Sequence, residues 1–179
     1  MRLFYDPNID KNNTQFTLSE EESKHAVRVL RLSEGDHIGL MNGRGFLFSC
    51  EIAEAHPKRC LLNIVETNFE APDPDVIHIA VAPTKQMERI EWFVEKAVEI
   101  GVTKITLLDC KNGERAKIKL DRLEKKAISA MKQSQRKYLP EIDDLTKFND
   151  FISKYPTGLI AHCYDGEKST FSEVFAKTN

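Results

Sequence analysis

The sequence predicts an α/β protein that carries a small β-barrel, with the barrel at the N-terminus and a parallel α/β domain after it. Three observations predict this. The first 68 residues hold short strand-like runs separated by turn signals, the second half alternates strand and helix character, and the two patterns meet at the acidic stretch TNFEAPDPD. Pro72 and Pro74 in that stretch cannot continue a helix or sit centrally in a sheet, so Thr67 to Asp75 reads as a connection. The expected division is a barrel over 1–68, a linker over 69–75 and an α/β domain over 76–179.

Within the barrel the expected strands are RLFY, HIGLM, GFLFSCEIAEA and RCLLNIVE, interrupted by NGRG and HPK. Asn42 and Gly43 both tolerate positive φ and so signal a hairpin, which presents Arg44 at its tip. Between the first strand and this meander lies SEEESKHAVRVLRLSEGD. Ser19 and Glu22 have capping-box spacing there and open a short helix.

The α/β half begins with VIHIAVAP, a continuous apolar run of the kind found in strands buried on both faces. The helix MERIEWFVEKAVEI follows and is closed by Gly101 at a position suited to a left-handed cap. Its wheel puts Ile90, Phe93, Val94, Ala97 and Val98 on one face and Trp92, Lys96 and Glu99 opposite. A strand VTKITLLDC, a loop KNGERAKIK, a long helix, a short helix near Leu145 to Ile152 and a strand GLIAHC complete the series. In such a domain the ligand site is expected outside the carboxyl ends of the strands, near Pro83 to Lys85, Asn112 to Lys117 and Cys163 to Gly166.

The long helix, which includes SAMKQSQRKYLPEI, has two unlike faces. Leu123, Ala127, Ala130, Met131 and Ser134 share the apolar stripe, where small residues permit close approach and the Ser134 hydroxyl can bond back to its own helix. Arg122, Ser129, Gln133 and Arg136 share the other. From Lys111 to Leu139 ten bases face only Glu114, Asp121 and Glu124, a local balance of +7 in a chain whose net charge is -2. Such a surface is either a solvated helix face or a polyanion-binding one.

Several classes are excluded or disfavoured. The four cysteines and five histidines lack zinc-ligand or disulfide-framework spacing, and no apolar run reaches the ~20 residues of a membrane span. No metal is expected, and the compartment expected is a reducing cytoplasm.

Taken in order, HAVRVLRLSEGD from His25, GRGFLF from Gly43, KQMERIEWFVEKAVEIGV from Lys85, GERA from Gly113, RLEKKAISAMKQSQRKYLPEI from Arg122 and LIAHC from Leu159 make the chain resemble one family. It is that of the bacterial 16S ribosomal RNA uridine-N3 methyltransferases of the SPOUT superfamily. The resemblance implies a PUA-like RNA-binding barrel, a SPOUT-type α/β domain whose C-terminal part is knotted around S-adenosylmethionine, and a homodimer acting on 16S ribosomal RNA or the small ribosomal subunit. Two departures stand out. Ala116 follows Glu114 and Arg115 where the family commonly has serine, and no Gly-Pro-Glu-Gly-Gly type loop or later leucine- and glycine-rich segment occurs in the 179 residues. The chain therefore reads as an incomplete SPOUT-type domain, a fragment of a longer protein, expected to bind the methyl donor weakly or not at all and to be inactive alone.

The RNA contacts expected are Arg28, Arg31 and Arg44 in the barrel, Lys85 and Arg115 at strand ends, and Arg122, Gln133 and Arg136 on the long helix. No catalytic base is identified: Glu114 is a candidate by position, with a salt bridge to Arg115 as the other reading. Trp92 either stacks a base or packs within the protein, and a structural role is expected for His162 and Cys163. Two other functions stay open: a non-catalytic RNA-binding or ribosome-assembly protein, and an enzyme acting on a small anion at the strand ends.

Overall fold

The computed structural model describes residues 1–113, 117–161 and 165–175, apart from the side chains of Phe171 and Phe175. Two compact units divide the chain, Met1–Phe148 and Asn149–Asn179.

The larger unit contains two sheets. In the first, β1 (Leu3–Tyr5), β3 (His37–Met41), β4 (Phe46–Glu54), β5 (Leu61–Phe69) and β2 (Gln15–Thr17) lie in the order β1-β3-β4-β5-β2, as a half-barrel. Only β1 and β3 run parallel; the other pairs are antiparallel. Sequence reading missed β2, whose three residues are largely exposed and lack an apolar pattern. It also ended β5 early, since Thr67, Asn68 and Phe69 pair with Phe48, Leu47 and Phe46 before the prolines stop the ladder.

Of the expected capping box, the Ser19 half forms, while the Glu22 carboxylate lies beside His25 and Lys132. Ser19 Oγ accepts from the Glu22 amide at 3.3 Å and starts α1 (Glu20–Lys24). A π-helical turn, His25–Val29, replaces continued α-helix. Ser23, fully buried at the start of this hinge, donates to the Leu18 carbonyl at 3.1 Å and accepts from the Cys60 amide at 2.9 Å, which ties the helix to the sheet.

The second sheet is parallel, with β7 (Lys104–Asp109) between β6 (His78–Val81) and β8 (Glu141–Lys147). The helices α2 (Met87–Ile100) and α3 (Leu120–Ser134) connect its strands and share a core with it that includes Ile90, Val94, Leu123, Ala127 and Met131. Gly101 caps α2 at φ 93°, and Ser134 Oγ donates to the Ala130 carbonyl at 2.7 Å, both as the sequence predicts.

Three expectations need correction. The apolar run VIHIAVAP is not a strand buried on both faces: β6 is an edge strand, half-buried throughout, and Val76 and Ile77 before it are exposed. The helix expected near Leu145 to Ile152 is instead strand until Lys147, and α4 (Phe148–Lys154) begins only then. Gly158 to Ala161 form no strand and are exposed; His162 and Cys163 lie outside the described residues. In the smaller unit, Thr170 and Glu173 make a reciprocal capping box for the short helix α5 (Phe171–Phe175), with bonds of 2.7 and 3.3 Å.

Strand periodicity makes the half-barrel a shared wall. Phe4, Ile38, Leu40 and Phe48 point into the barrel core, whereas Leu3, Tyr5, Met41 and Leu47 belong to the core built on α2, α3 and the parallel sheet. All of β3 except His37 is therefore buried. Burying Met41 alone contributes about 2 kcal/mol by area transfer.

Candidate nucleic-acid interface

The π-helical turn determines what Arg28 and Arg31 can do. On a regular helix two residues three apart share a face. Here Leu30 donates to the His25 carbonyl and Leu32 to the Ala26 carbonyl, both at 3.0 Å, and Arg31 sits in the left-handed region at φ 56°. A non-glycine residue held there is uncommon, and π-turns recur at functional sites. Arg28 and Arg31 are both exposed, and Arg31 edges an open groove with Val27, Leu32, Ser33, Glu34 and Ala55.

Arg44 is exposed at its turn, as expected, but the turn is not free. Its amide donates to Asn42 Oδ1 at 2.9 Å, and its backbone pairs with Tyr138 from the segment after α3. Tyr5 lies nearby: burial raises its phenol pKa, and the positive charge of Arg44 pulls the other way. Arg44 is thus placed at the seam between the two sheets.

At the parallel sheet the three strands end on one side, as parallel strands must. Lys85 follows β6 and is exposed. After β7 the chain turns tightly, Gly113 donating to the Cys110 carbonyl at 2.7 Å, and Asn112 is exposed in that turn. Lys147, in register with Asp109, brings a further base to the same edge. Sequence reading missed Lys147 because that segment read as helix. Glu114 and Arg115 lie outside the described residues.

The basic face of α3 is largely compensated from within the protein. Arg122 forms an ion pair with Glu91, its Nη2 donating to Oε2 at 3.1 Å, and Lys126 pairs with Glu95. Glu95 also lies 3.2 Å from Lys96, and hydrogen bonds from Lys126 and Lys96 hold its carboxyl below the usual range. Lys132 reaches Glu22 on α1 at 3.3 Å, and Lys137 reaches Glu70 at 3.0 Å. Arg136 donates from Nε to the Glu99 carbonyl at 3.0 Å. The +7 count covers one segment of sequence, whereas these counter-charges come from α1, α2 and the residue after β5. Gln133 is exposed.

A second polar group crosses the parallel sheet near its strand starts. His78 Nε2 and Thr106 Oγ1 are 2.8 Å apart, Thr106 Oγ1 donates to Asp143 Oδ2 at 2.9 Å, and Lys104 Nζ lies 3.1 Å from Asp143 and 3.0 Å from Glu141. The Lys104 pKa is raised, chiefly by its bond to Glu141. For Asp143, burial pushes the carboxyl up, but the bonds from Lys104 and Thr106 outweigh it and leave the pKa lowered. Sequence reading placed no strand at Glu141–Lys147 and so missed this ladder. Trp92 is exposed on α2 beside Glu88, Arg89 and Phe93. No helix among the described residues is long and apolar enough to cross a membrane.

Two family models match the chain in succession. Residues 71–179 match the RNA methyltransferase domain family, and residues 18–65 match the RNA methyltransferase PUA domain. The ribosomal RNA small subunit methyltransferase E of Bacillus subtilis is 28% identical over 175 residues, which cover 89% of this chain and 67% of the relative. That of Aquifex aeolicus is 26% identical over 183 residues, covering 99% and 78%. Among solved structures, a probable rRNA methyltransferase from Porphyromonas gingivalis is 40% identical with a TM-score of 0.76, over 85% of this chain and 63% of that one. A Legionella pneumophila methyltransferase in complex with the bound cofactor SAM is 26% identical with a TM-score of 0.74, over 85% and 65%. The chain thus spans about two thirds of the length of most of these proteins. With both parts of the fold matched in order, the chain belongs to the RNA methyltransferase domain family that carries a PUA domain, the family of the ribosomal RNA small subunit methyltransferases E.

Proposed function

We propose that this protein takes part in methylating N3 of a uridine in 16S ribosomal RNA, with S-adenosylmethionine as the donor. The observation that carries the reading is the joining of a half-barrel that exposes Arg28 and Arg31 at its π-helical turn to a parallel sheet whose C-terminal edge presents Lys85, Asn112 and Lys147, in a chain matched along both parts by RNA methyltransferase families. The barrel over 1–68 holds RNA, the linker is 69–75, and the methyltransferase part is 76–179. Arg28 and Arg31 contact phosphates, joined by Arg44, Lys85, Arg115, Arg122, Gln133 and Arg136 where their internal partners leave donors over.

The uridine imide proton must leave before or during attack on the methyl group. Bases at the strand edge favour the deprotonated imidate by their charge and so lower that cost. The described residues of this edge do not fit the donor by themselves: Lys85, Gln86, Asn112, Gly113 and Lys147 are all exposed and enclose no surface for an adenosyl group. The sequence holds no glycine-rich loop of the family type either, so these 179 residues alone bind the donor weakly and do not turn over. The protein acts as a cytoplasmic homodimer on the small ribosomal subunit.

The test uses the parent organism. Deleting the gene removes one N3-methyluridine from 16S ribosomal RNA, as read by mass spectrometry of nuclease fragments, and reintroducing it restores the modification. An unchanged modification profile overturns the enzymatic reading and leaves a non-catalytic RNA-binding role.

A further inference from the structure

Three segments far apart in sequence meet at Gly45. The Gly45 amide donates to the Lys137 carbonyl at 2.9 Å, and the Leu139 amide donates to the Gly43 carbonyl at 3.0 Å, so the stretch after α3 makes one antiparallel bridge with the β3–β4 turn. On the other side the Glu70 amide donates to the Gly45 carbonyl at 2.9 Å. Tyr138 closes the arrangement, its hydroxyl donating to the Glu70 carbonyl at 2.8 Å, and Lys137 adds an ion pair with the Glu70 carboxylate.

The site has no slack. Gly45 has φ 91°, and a Cβ placed there meets the Tyr138 hydroxyl and comes within 2.6 Å of the Glu70 carbonyl. Gly43, at φ 71°, has Leu139 and Tyr5 each 3.1 Å from the place of its Cβ. Ordinary hairpin tips are open to solvent and tolerate substitution.

The position of Glu70 gives the arrangement its meaning. It is the last residue before Ala71 to Asp75, which are all exposed and include both prolines. Two lobes joined by such a segment move against each other by default unless an interface holds them, and here the shared core around Met41 and Leu47 already joins them, leaving their exact angle to the polar contacts at its rim. Here the residue from which the linker departs is bonded to the barrel turn and to the exit of α3.

We propose that Gly45, Tyr138 and Glu70 form a clasp that fixes the half-barrel against the α/β part, so that RNA gripped on the barrel meets the C-terminal strand edge at one distance. The role is one of positioning and rests on the RNA-binding reading above. Misplacement of reacting groups by about 1 Å costs on the order of 100-fold in rate, which is what such a clasp prevents.

The experiment uses the intact chain in two variants, Gly45→Ala, which crowds the junction, and Tyr138→Phe, which removes one oxygen. Spin labels at Lys58→Cys and Glu88→Cys, in a background with Cys110→Ser and Cys163→Ser, report the distance between the lobes. A photo-cross-linking residue at Asn112 reports which nucleotides of 16S ribosomal RNA reach the strand edge. The expected result is one narrow label distance and a short run of cross-linked nucleotides in the parent chain. Both broaden in the variants, while RNA affinity stays within about twofold because the clasp makes no phosphate contact. An unchanged distance and cross-link pattern in both variants overturns the proposal. If Gly45→Ala does not fold, Tyr138→Phe decides it. Absence of RNA binding by the parent chain refutes the RNA-binding reading, while the label distances still judge the clasp.

Discussion

Arg136 donates from Nε to the carbonyl of Glu99 at 3.0 Å, which places its guanidinium over Gly101 at the end of α2. Four carbonyls at a helix C-terminus lack intrahelical partners, and a cation there also meets the negative end of the helix dipole. Glycine is favoured beneath it by φ 93°, and a Cβ there would displace the end of the Arg136 side chain. Arg136→Ala should lower stability by about 1 kcal/mol, read as a shift in the urea midpoint at constant slope. Weakened RNA binding with no such shift would assign Arg136 to the RNA instead.

Sequence pattern exposed the parts of the fold that local chemistry determines. Gly101 after an amphipathic run, Ser134 one turn beyond Ala130, and Ser19 with Glu22 each carry their reason within four residues. The strand β8 does not. Its Glu141 and Asp143 look like solvent-facing charges until Lys104 and Thr106 on β7 are placed beside them. The basic face of α3 misled in the same way, since Glu91, Glu95 and Glu22 compensate it from other elements. Periodicity also could not show that Met41 and Leu47 serve a second core, because a strand buried on both faces loses its alternation.

The cysteines should separate by burial. Cys50 is fully buried and its thiol is pushed up to about 12, and burial raises Cys60 as well, whereas Cys110 is half-exposed. The thiolate is the reactive form. Alkylation followed by mass spectrometry at neutral pH should modify Cys110 well before Cys50 and Cys60, which become reactive together on unfolding in urea. Early labelling of Cys50 in the native protein would contradict the barrel core.

Asp143 supplies a pH dependence of known sign. Its folded pKa is lowered by Lys104 and Thr106, so its contribution to stability is present above the unfolded carboxylate pKa and is lost as pH falls through the folded value. Lys104, with a raised pKa, contributes below its unfolded value and loses that contribution only as pH rises through the folded one. Asp143→Asn should therefore flatten the acid limb of a plot of melting temperature against pH. An acid limb as steep as that of the parent chain would remove Asp143 from the account.

The central claim is that the half-barrel grips RNA through Arg28 and Arg31, and the salt dependence of binding tests it most directly. Affinity for a single-stranded 16S ribosomal RNA segment is measured across a range of salt for the parent chain and for Arg28→Ala with Arg31→Ala. Each phosphate contact contributes about -0.7 to the slope of log affinity against log salt, so losing two should reduce its magnitude by about 1.4 and weaken binding at every salt concentration. A double variant with the parent slope and affinity would contradict the account.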